Sequence, residues 1–218
     1  MTRVILLSLC LLALNPALAS TVPADYHFDV YLDDKPIGTH SFVFDAAGGD
    51  GYRLTSTASY QVKFLFVTAY QYRHESTEQW RGGCLRSIDS TTDDNGDSYR
   101  VEGDASAIRV NGEPTPVAVD CVRSFVYWDP RLLESPQLLN SQTGELEPVT
   151  LDSLGQSPLP WGEDGRPHQL LSLATPRTPI DLWYDSSGRW LGLRSELDNG
   201  RVLSYRPAAS ASGAGEAS

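Results

Sequence analysis

The chain has 218 residues, and its 28 acidic side chains outnumber 17 basic ones, so the formal net charge at pH 7 is −11. An acidic surface repels phosphate backbones and anionic lipid headgroups, because binding to either relies on clustered lysine and arginine. We therefore expect no nucleic-acid partner, and the length suits a single β-rich domain.

Residues 1–19 have the three parts of a cleavable secretory signal peptide. Arg3 supplies the positive charge, residues 4–14 form an apolar run, and Ala17-Leu18-Ala19 is a small-residue cleavage site. The apolar run is shorter than the stretch of about 18 residues that a membrane-spanning helix needs. We expect cleavage after Ala19, no transmembrane anchor after cleavage, and a periplasmic location.

The chain that follows alternates apolar and polar residues, which predicts β-strands. The first predicted strand places four apolar residues on one face: Tyr26, Phe28, Val30 and Leu32. The second, over residues 37–45, does the same with Phe42 and Phe44. Asn-Gly pairs at 95–96, 111–112 and 199–200 predict hairpin turns, because both residue types accept positive φ. The opening is therefore expected to be an antiparallel meander.

Residues 60–80 form the longest alternating run, and one of its faces is aromatic. An unbroken strand of this length would run roughly 70 Å at about 3.3 Å per residue, far beyond the usual strand of about 17 to 20 Å. We expect it to bend or break near residues 65–67, where both faces are apolar. Strong coiling of this kind is typical of curved sheets and barrels with the aromatic face on the concave side.

The alternation changes after Cys121. Asp129-Pro130, paired leucines and Pro136 predict a short helix or two over residues 122–140, a candidate lid or plug. Strand patterns then resume up to Tyr205. Residues 20–206 are thus expected to form one mostly β domain, a strongly curved antiparallel sheet or unclosed barrel with a short helical or irregular lid. Residues 207–218, mostly Ala, Ser and Gly, are expected to be disordered.

Two cysteines remain once the predicted signal peptide is removed, Cys84 and Cys121. An even count in an exported chain is more often a disulfide than two free thiols. The bridge would close a loop of roughly 37 residues, for which the chain-entropy estimate is about 3 to 4 kcal/mol of stabilisation.

The common catalytic motifs are absent: there is no G-x-S-x-G elbow, no phosphate-binding loop and no H-E-x-x-H. His74 and Glu78 come near the last motif, but four residues on a strand span about 13 Å, too far to share a zinc ion. No metal site and no cofactor is predicted. His40 and His74 are the candidate general bases, and His40 alternates in step with Phe42 and Phe44, so we expect it to face the interior.

Aromatic residues could line a cavity for a lipid or another apolar small molecule, since ligand pockets have apolar walls with few polar groups. The alternative is an ordinary filled core. The candidate ligand wall consists of Tyr60, Phe64, Phe66, Tyr70, Tyr72, Trp80, Tyr127 and Trp128.

Five motifs together resemble an exported proteobacterial family catalogued only as a domain of unknown function. They are YLDDKPIGTH at 31–40, EQWRGGCL at 78–85, FVYWDP at 125–130, LLNSQTG at 138–144 and IDLWY at 180–184. The resemblance covers about residues 24–206. The chain also has a looser likeness to periplasmic proteins with a curved antiparallel sheet. Such a sheet is similar to the unclosed barrels of lipoprotein carriers, and this similarity implies a concave apolar face under a short lid. No activity comes with the resemblance, so no catalytic residue is carried over.

Three functional hypotheses follow, and the absence of catalytic motifs favours a non-enzymatic one. The first is an exported protein that shelters a lipid or other apolar ligand in its curved sheet. The second is an envelope hydrolase that uses His40 or His74 with a carboxylate, and it requires an open polar cleft around one histidine. The third is a module that binds another envelope protein through a sheet edge or residues 132–139.

Overall fold

The computed structural model describes residues 22–64, 67–117 and 119–209. The predicted signal peptide over residues 1–19, all of Phe66, the side chain of Phe64 and residues 210–218 lie outside the described part. No helix among the described residues is both long and apolar enough to cross a bilayer.

The described part of the chain is built from fifteen strands and one helical turn. Their bounds are β1 Tyr26–Leu32, β2 Lys35–Ala46, β3 Gly51–Phe64, β4 Val67–Arg81, β5 Cys84–Asp94, β6 Asp97–Asp104, β7 Arg109–Val110, β8 Glu113–Pro114, α1 Pro130–Leu133, β9 Gln137–Leu139, β10 Leu146–Pro148, β11 Thr150–Pro158, β12 Pro167–Ala174, β13 Ile180–Tyr184, β14 Trp190–Glu196 and β15 Val202–Pro207.

Thirteen of these strands form one antiparallel sheet, and β9 and β10 pair separately. The sheet order is β11-β12-β13-β14-β15-β1-β2-β3-β4-β5-β6-β7-β8. The first and last strands of the chain are neighbours, with Val30 opposite Tyr205. Within the described residues the outer strands β8 and β11 do not pair with each other. The predicted mostly β, unclosed architecture is therefore confirmed.

Two of the three Asn-Gly pairs form the expected tight turns. Asn95-Gly96 has φ values of 56° and 102°, and Asn111-Gly112 has 52° and 85°. At residues 199–200 only the glycine has positive φ. This turn is longer than the other two, and the hydrogen bond that closes it runs from Leu197 N to Arg201 O at 2.8 Å. All three pairs still separate strands that are hydrogen-bonded to each other.

The aromatic run over residues 60–80 breaks where the sequence predicts, between Phe64 and Val67, but the chain reverses there instead of bending. Strands β3 and β4 form a hairpin in which Tyr60 lies opposite Tyr72. Their rings stack with centroids 5.0 Å apart. The hairpin divides the run between two arms of 14 and 15 residues and keeps both tyrosines on the concave face.

One end of the concave face is filled by interlocking rings. The set is Tyr26, Phe28, Phe42, Phe44, Trp128 and Trp190, all buried. Trp190 lies at its centre, with its ring centroid 4.4 Å from that of Phe28 and 5.6 Å from that of Phe42. Each such ring buries about 150 to 250 Å² and prefers tilted or edge-on packing. This end of the sheet is a conventional hydrophobic core.

Residues 122–149, here called the plug, run into the concave side of the sheet. The predicted helix or two is reduced to the single turn α1, which Asp129 caps by accepting from Arg131 N at 3.1 Å. The rest is extended, because Val122, Ser124, Val126 and Trp128 alternate into the interior with strand periodicity. Leu85 N donates to Val122 O and ties the start of the plug to β5, and Leu139 N donates to Arg123 O within the plug.

The disulfide between Cys84 and Cys121 is present and joins the first residue of β5 to the residue that precedes the plug. At the other end of the domain, β15 extends through Pro207, and Ala208 N donates to His27 O at 2.8 Å. The ordered sheet thus extends slightly beyond the boundary expected at residue 206.

Candidate binding cavity

A cavity of about 300 Å³ lies between the plug and the end of the concave face that the aromatic rings leave open. Strands β2, β3 and β4 supply its polar floor: His40, Ser56, His74, Ser76 and Glu78. The plug supplies Ser124, Phe125, Tyr127, Trp128, Asn140 and Glu147. The rim includes Arg177, Thr178, Ile180, Leu197 and Leu203.

Strand alternation and register bring the floor together. His74, Ser76 and Glu78 are alternate residues of β4 and so share one face, which here is the concave one. Ser56 of β3 lies opposite Ser76, and His40 of β2 lies opposite the residue that pairs with His74. Inward-facing positions of the sheet, which carry aromatic rings at the filled end of the concave face, therefore carry polar groups at the cavity.

His40 is hydrogen-bonded on both sides of its ring. Its Nε2 is 2.7 Å from Ser56 Oγ, and its Nδ1 is 3.1 Å from the Tyr205 hydroxyl and 3.2 Å from the Tyr60 hydroxyl. Burial, with a smaller contribution from neighbouring His74, lowers the pKa of His40 to about 3. The imidazole is therefore neutral at pH 7 and orders its neighbours as a hydrogen-bonding group.

His74 is also neutral, because burial lowers its pKa to about 4. Its Nδ1 is 2.9 Å from Thr92 Oγ1. In the part of the chain that the structure describes, this is its one side-chain hydrogen bond, and the second ring nitrogen remains available.

Glu78 is buried, with 2% of its surface exposed, and it links the sheet to the plug. Its Oε2 accepts hydrogen bonds from the Trp80 indole N–H at 2.8 Å and the Ser124 hydroxyl at 2.9 Å. Burial raises the pKa of Glu78, although these two hydrogen bonds act in the opposite direction. Two residues earlier on the same face, the buried Ser76 hydroxyl has no hydrogen-bond partner among the described residues.

A second buried carboxyl, Glu147, lies on the plug side of the cavity. Its Oε1 accepts from the Asn140 side-chain amide at 2.8 Å. In the described ranges, no three His, Cys, Asp or Glu side chains are placed to hold a metal ion.

The predicted site residues divide into three groups. His40 and His74 both line the cavity, as do Tyr127 and Trp128. Three of the candidate wall residues are buried without lining it: Tyr60, Tyr72 and Trp80. Tyr70 is half-buried, and its hydroxyl donates to the Asp94 carboxylate at 2.7 Å. The aromatic residues of β3 and β4 thus support the floor of the cavity while polar residues form its surface.

Sequence reasoning missed most of the polar members, namely Ser56, Ser76, Glu78, Ser124, Asn140 and Glu147. One signal was available for β4. His74, Ser76 and Glu78 are in phase with Tyr72 and Trp80, so an aromatic face that points inward carries three polar residues with it. No comparable local signal marks the plug residues, because their position depends on how the plug enters the sheet.

The contact between Ser56 and His40 has the geometry of a nucleophile and its base. The base is weak, because burial disfavours protonation of the imidazole and lowers the pKa of His40 to about 3. The far nitrogen of His40 contacts tyrosine hydroxyls, whereas a triad would place a carboxylate there. The arrangement is better suited to holding a polar group than to removing a proton.

Fold and cavity together define a class: barrel-like β proteins whose interior contains a plug and a small polar pocket. The family model described as "Domain of unknown function (DUF6134)" matches residues 28–208, and the chain belongs to this family. No curated protein matches the chain.

Solved structures that match the chain include the following two. The beta-barrel-like protein of domain of unknown function DUF1849 from Brucella abortus aligns with a TM-score of 0.61 and 11% identity, over 85% of this chain and 95% of that chain. The MucA/MucB complex structure from Pseudomonas aeruginosa aligns with a TM-score of 0.34 and 14% identity, over 84% of this chain and 49% of that chain. The first likeness concerns the fold alone.

Proposed function

We propose that this protein is an exported binding protein that holds a small molecule with a polar head in the cavity beneath its plug. The observation that carries the proposal is the set of buried polar side chains around unfilled space, with the Ser76 hydroxyl lacking a partner. An unsatisfied buried polar group costs about 1 to 3 kcal/mol. The chain fills the other end of the same face with rings, so polar residues here point to a ligand that would satisfy them.

The cavity size and lining also bear on the kind of ligand. A volume of about 300 Å³ is at the lower end of the range of about 300 to 1,000 Å³ for small-molecule pockets. Its floor is polar, and apolar residues such as Phe125, Ile180 and Leu203 lie on the plug and rim. These features favour a ligand whose polar head enters first and whose apolar part stays near the mouth. A lipid would be held in the same orientation.

Export to the periplasm of a proteobacterium is part of the proposal. The signal-like residues 1–19 and the Cys84–Cys121 disulfide support it, because disulfides persist in oxidising compartments. Expression in a proteobacterium followed by intact mass analysis of the periplasmic fraction tests it. We expect a product that begins at Ser20 with no alkylatable thiol. A full-length, reduced protein in the cytoplasm would contradict export.

Native mass spectrometry tests ligand binding. Protein incubated with an envelope extract of the producing cells should acquire a small-molecule adduct, and Ser76→Leu should lose it, because leucine fills the floor with an apolar side chain. The matched control is Ser59→Leu, at an exposed position on β3, and it should keep the adduct. An adduct unaffected by Ser76→Leu, or no adduct in any variant, would argue against the cavity as a binding site.

A second candidate function, hydrolysis, is favoured by one observation: Ser56 Oγ lies 2.7 Å from His40 Nε2. If Ser56 is a nucleophile, the purified protein should cleave an activated ester such as p-nitrophenyl acetate, and Ser56→Ala should abolish the reaction. Ser59→Ala provides the control. Cleavage no faster than in buffer, or a rate retained by Ser56→Ala, would remove this candidate.

A third candidate is a protein partner from the cell envelope. Strand β11 is an outer strand of the large sheet, and Leu154 on it is 56% exposed. Exposed outer strands can pair with a strand of another chain. Cross-linking from a photoreactive residue at position 154 in the periplasm should then capture one specific protein, and the same residue at position 59 should capture none. Equal capture at both positions would contradict this role.

A further inference from the structure

This inference rests on the proposed function and concerns the chemical class of the ligand, starting from the charges around the cavity. Its lining contains two buried carboxyls, Glu78 at 2% and Glu147 at 6% exposure. Apart from the neutral imidazoles, the basic side chain that lines it in the described ranges is Arg177. Arg177 lies at the rim with 63% of its side chain exposed, and it pairs with Glu145 at 3.5 Å. Among the described lining residues, the carboxyls are therefore buried and the one permanent cation lies at the rim.

Glu78 has unused capacity to accept hydrogen bonds. Both bonds it receives, from Trp80 and Ser124, go to Oε2. Its Oε1 has no hydrogen-bond partner among the described residues. The hydroxyl of Ser76, two residues away on the same strand, is buried without a partner among the described residues, and Ser76 helps to line the same cavity. A ligand that donates hydrogen bonds would satisfy both atoms at once.

Aromatic rings line the rest of the cavity. Phe42 lies on the sheet side, and Phe125, Tyr127 and Trp128 lie on the plug. The faces of such rings attract organic cations electrostatically, most strongly when water is excluded. Anions are disfavoured by the two buried carboxyls, and a neutral polyol would leave the charge of an ionised Glu78 uncompensated.

We propose that the cavity takes a small organic cation, a primary or secondary ammonium with an apolar substituent. The ammonium donates to Glu78 Oε1 and Ser76 Oγ, and the substituent lies against Phe125, Ile180 and Leu203. The raised pKa of Glu78 is consistent with this assignment, because a bound cation would restore the ionised form that burial disfavours.

Isothermal titration calorimetry of the full mature chain at pH 7.5 and low salt tests the ligand class with three probes of similar size. They are 2-phenylethylamine, 2-phenylethanol and 3-phenylpropanoate, which differ mainly in the charge of the head. We expect the amine to bind at least 10-fold more tightly than the alcohol, and the acid not to bind. This comparison within the wild type needs no substitution.

Substitution of the carboxyl provides the second arm. Glu78→Gln keeps an oxygen for Trp80 and Ser124 but removes the charge, so amine affinity should fall at least 10-fold while alcohol affinity stays within about 2-fold. Glu147→Gln is the second carboxyl variant, for use if Glu78→Gln does not fold. Glu75→Gln, at an exposed position on the same strand, is the matched control and should leave amine affinity unchanged.

The outcomes separate this inference from the proposed function. Equal binding of amine and alcohol, or amine affinity unchanged by both carboxyl substitutions, overturns the cation assignment and leaves the cavity as a binding site. If no probe binds the wild type but Ser76→Leu still removes an envelope-derived adduct, the assignment is likewise overturned and the binding function stands. If no probe binds and no envelope-derived adduct forms, both the cation assignment and the proposed binding function are overturned.

Discussion

The two ends of the concave face share strand β2 and have opposite properties. At one end Phe44 packs with Trp128, and Phe42 packs with Trp128 and Trp190. Two residues earlier on β2, His40 stacks on Phe42 at 4.1 Å and turns its nitrogens toward hydroxyl groups. Adjacent inward positions of one strand thus belong to a filled apolar core and to a polar cavity.

This difference has an energetic meaning. Burial of rings at the aromatic end stabilises the fold at about 25 cal/mol per Å² of apolar surface. Burial of Glu78, Ser76 and two imidazoles stabilises it little or costs free energy. We therefore expect substitutions at the aromatic end to reduce stability strongly, and those at the polar end to change pH dependence and binding more than stability.

The largest effect is expected from Trp190→Ala at the aromatic end. Trp190 is 1% exposed and contacts the rings of Phe28, Phe42 and Tyr127. Loss of such a side chain costs about 3 to 5 kcal/mol of unfolding free energy, measurable by guanidinium denaturation. Trp161→Ala, at a half-buried position, should cost clearly less. Equal losses would show that the ring cluster is not the main core.

The next largest effect concerns the attachment of the plug. Replacement of both Cys84 and Cys121 by serine should lower the free energy of unfolding by about 2 to 4 kcal/mol, because the unfolded chain regains the entropy of an open loop. Urea denaturation of the double variant and of wild type with reductant should give matching curves. A loss below about 1 kcal/mol would mean that backbone bonds and packing alone hold the plug.

The polar end should make stability depend on pH. His40 and His74 have pKa values of about 3 and 4 in the fold. The value in an unfolded chain is about 6.5. As pH falls below about 6.5, protons bind the unfolded chain first, so each histidine removes up to about 1.4 kcal/mol per pH unit. Glu78 acts oppositely, because its raised pKa favours the fold at low pH.

Urea denaturation between pH 7.5 and 4.5 measures this dependence. His74→Gln should reduce the slope of stability against pH by as much as about 1.4 kcal/mol per unit below pH 6.5. His27→Gln, at an exposed position of β1, is the control for the substitution itself. An unchanged slope in His74→Gln would contradict a neutral, buried imidazole at this position.

The smallest effects separate two buried serines. Ser124→Ala removes a hydrogen bond to Glu78 and should cost about 1 to 2 kcal/mol. Ser76→Ala removes a buried hydroxyl without a partner in the described residues, so the variant should be as stable as wild type or more stable by up to about 1 kcal/mol. Thermal unfolding without ligand compares them. A cost above about 1 kcal/mol for Ser76→Ala would mean that its hydroxyl is already satisfied.

Much of the sheet could be predicted because strand alternation is a local property. Tyr26, Phe28, Val30 and Leu32 share a face in the sequence pattern, and all four are buried in the structure. Turn residues such as Asn95-Gly96 marked hairpins for the same reason, since positive φ is a property of the residue type.

The cavity could be predicted only in part. Alternation placed His40 inward, but it could not show that Ser124 and Glu147 of the plug would face it across the sheet. Nor could it show that Tyr60 and Tyr72 would stack on each other behind the floor. An aromatic face looks the same in sequence whether its rings line a pocket or pack together.

By itself, the sequence determined that the domain is mostly β, which residues share a face in its first strands, and where most of its turns lie. These depend on residue type and on a two-residue period. Only the tertiary structure decided which inward positions are filled and which are open, because that depends on sheet register and on where the plug enters. The cavity between Glu78 and Glu147 exists because segments about seventy residues apart meet there.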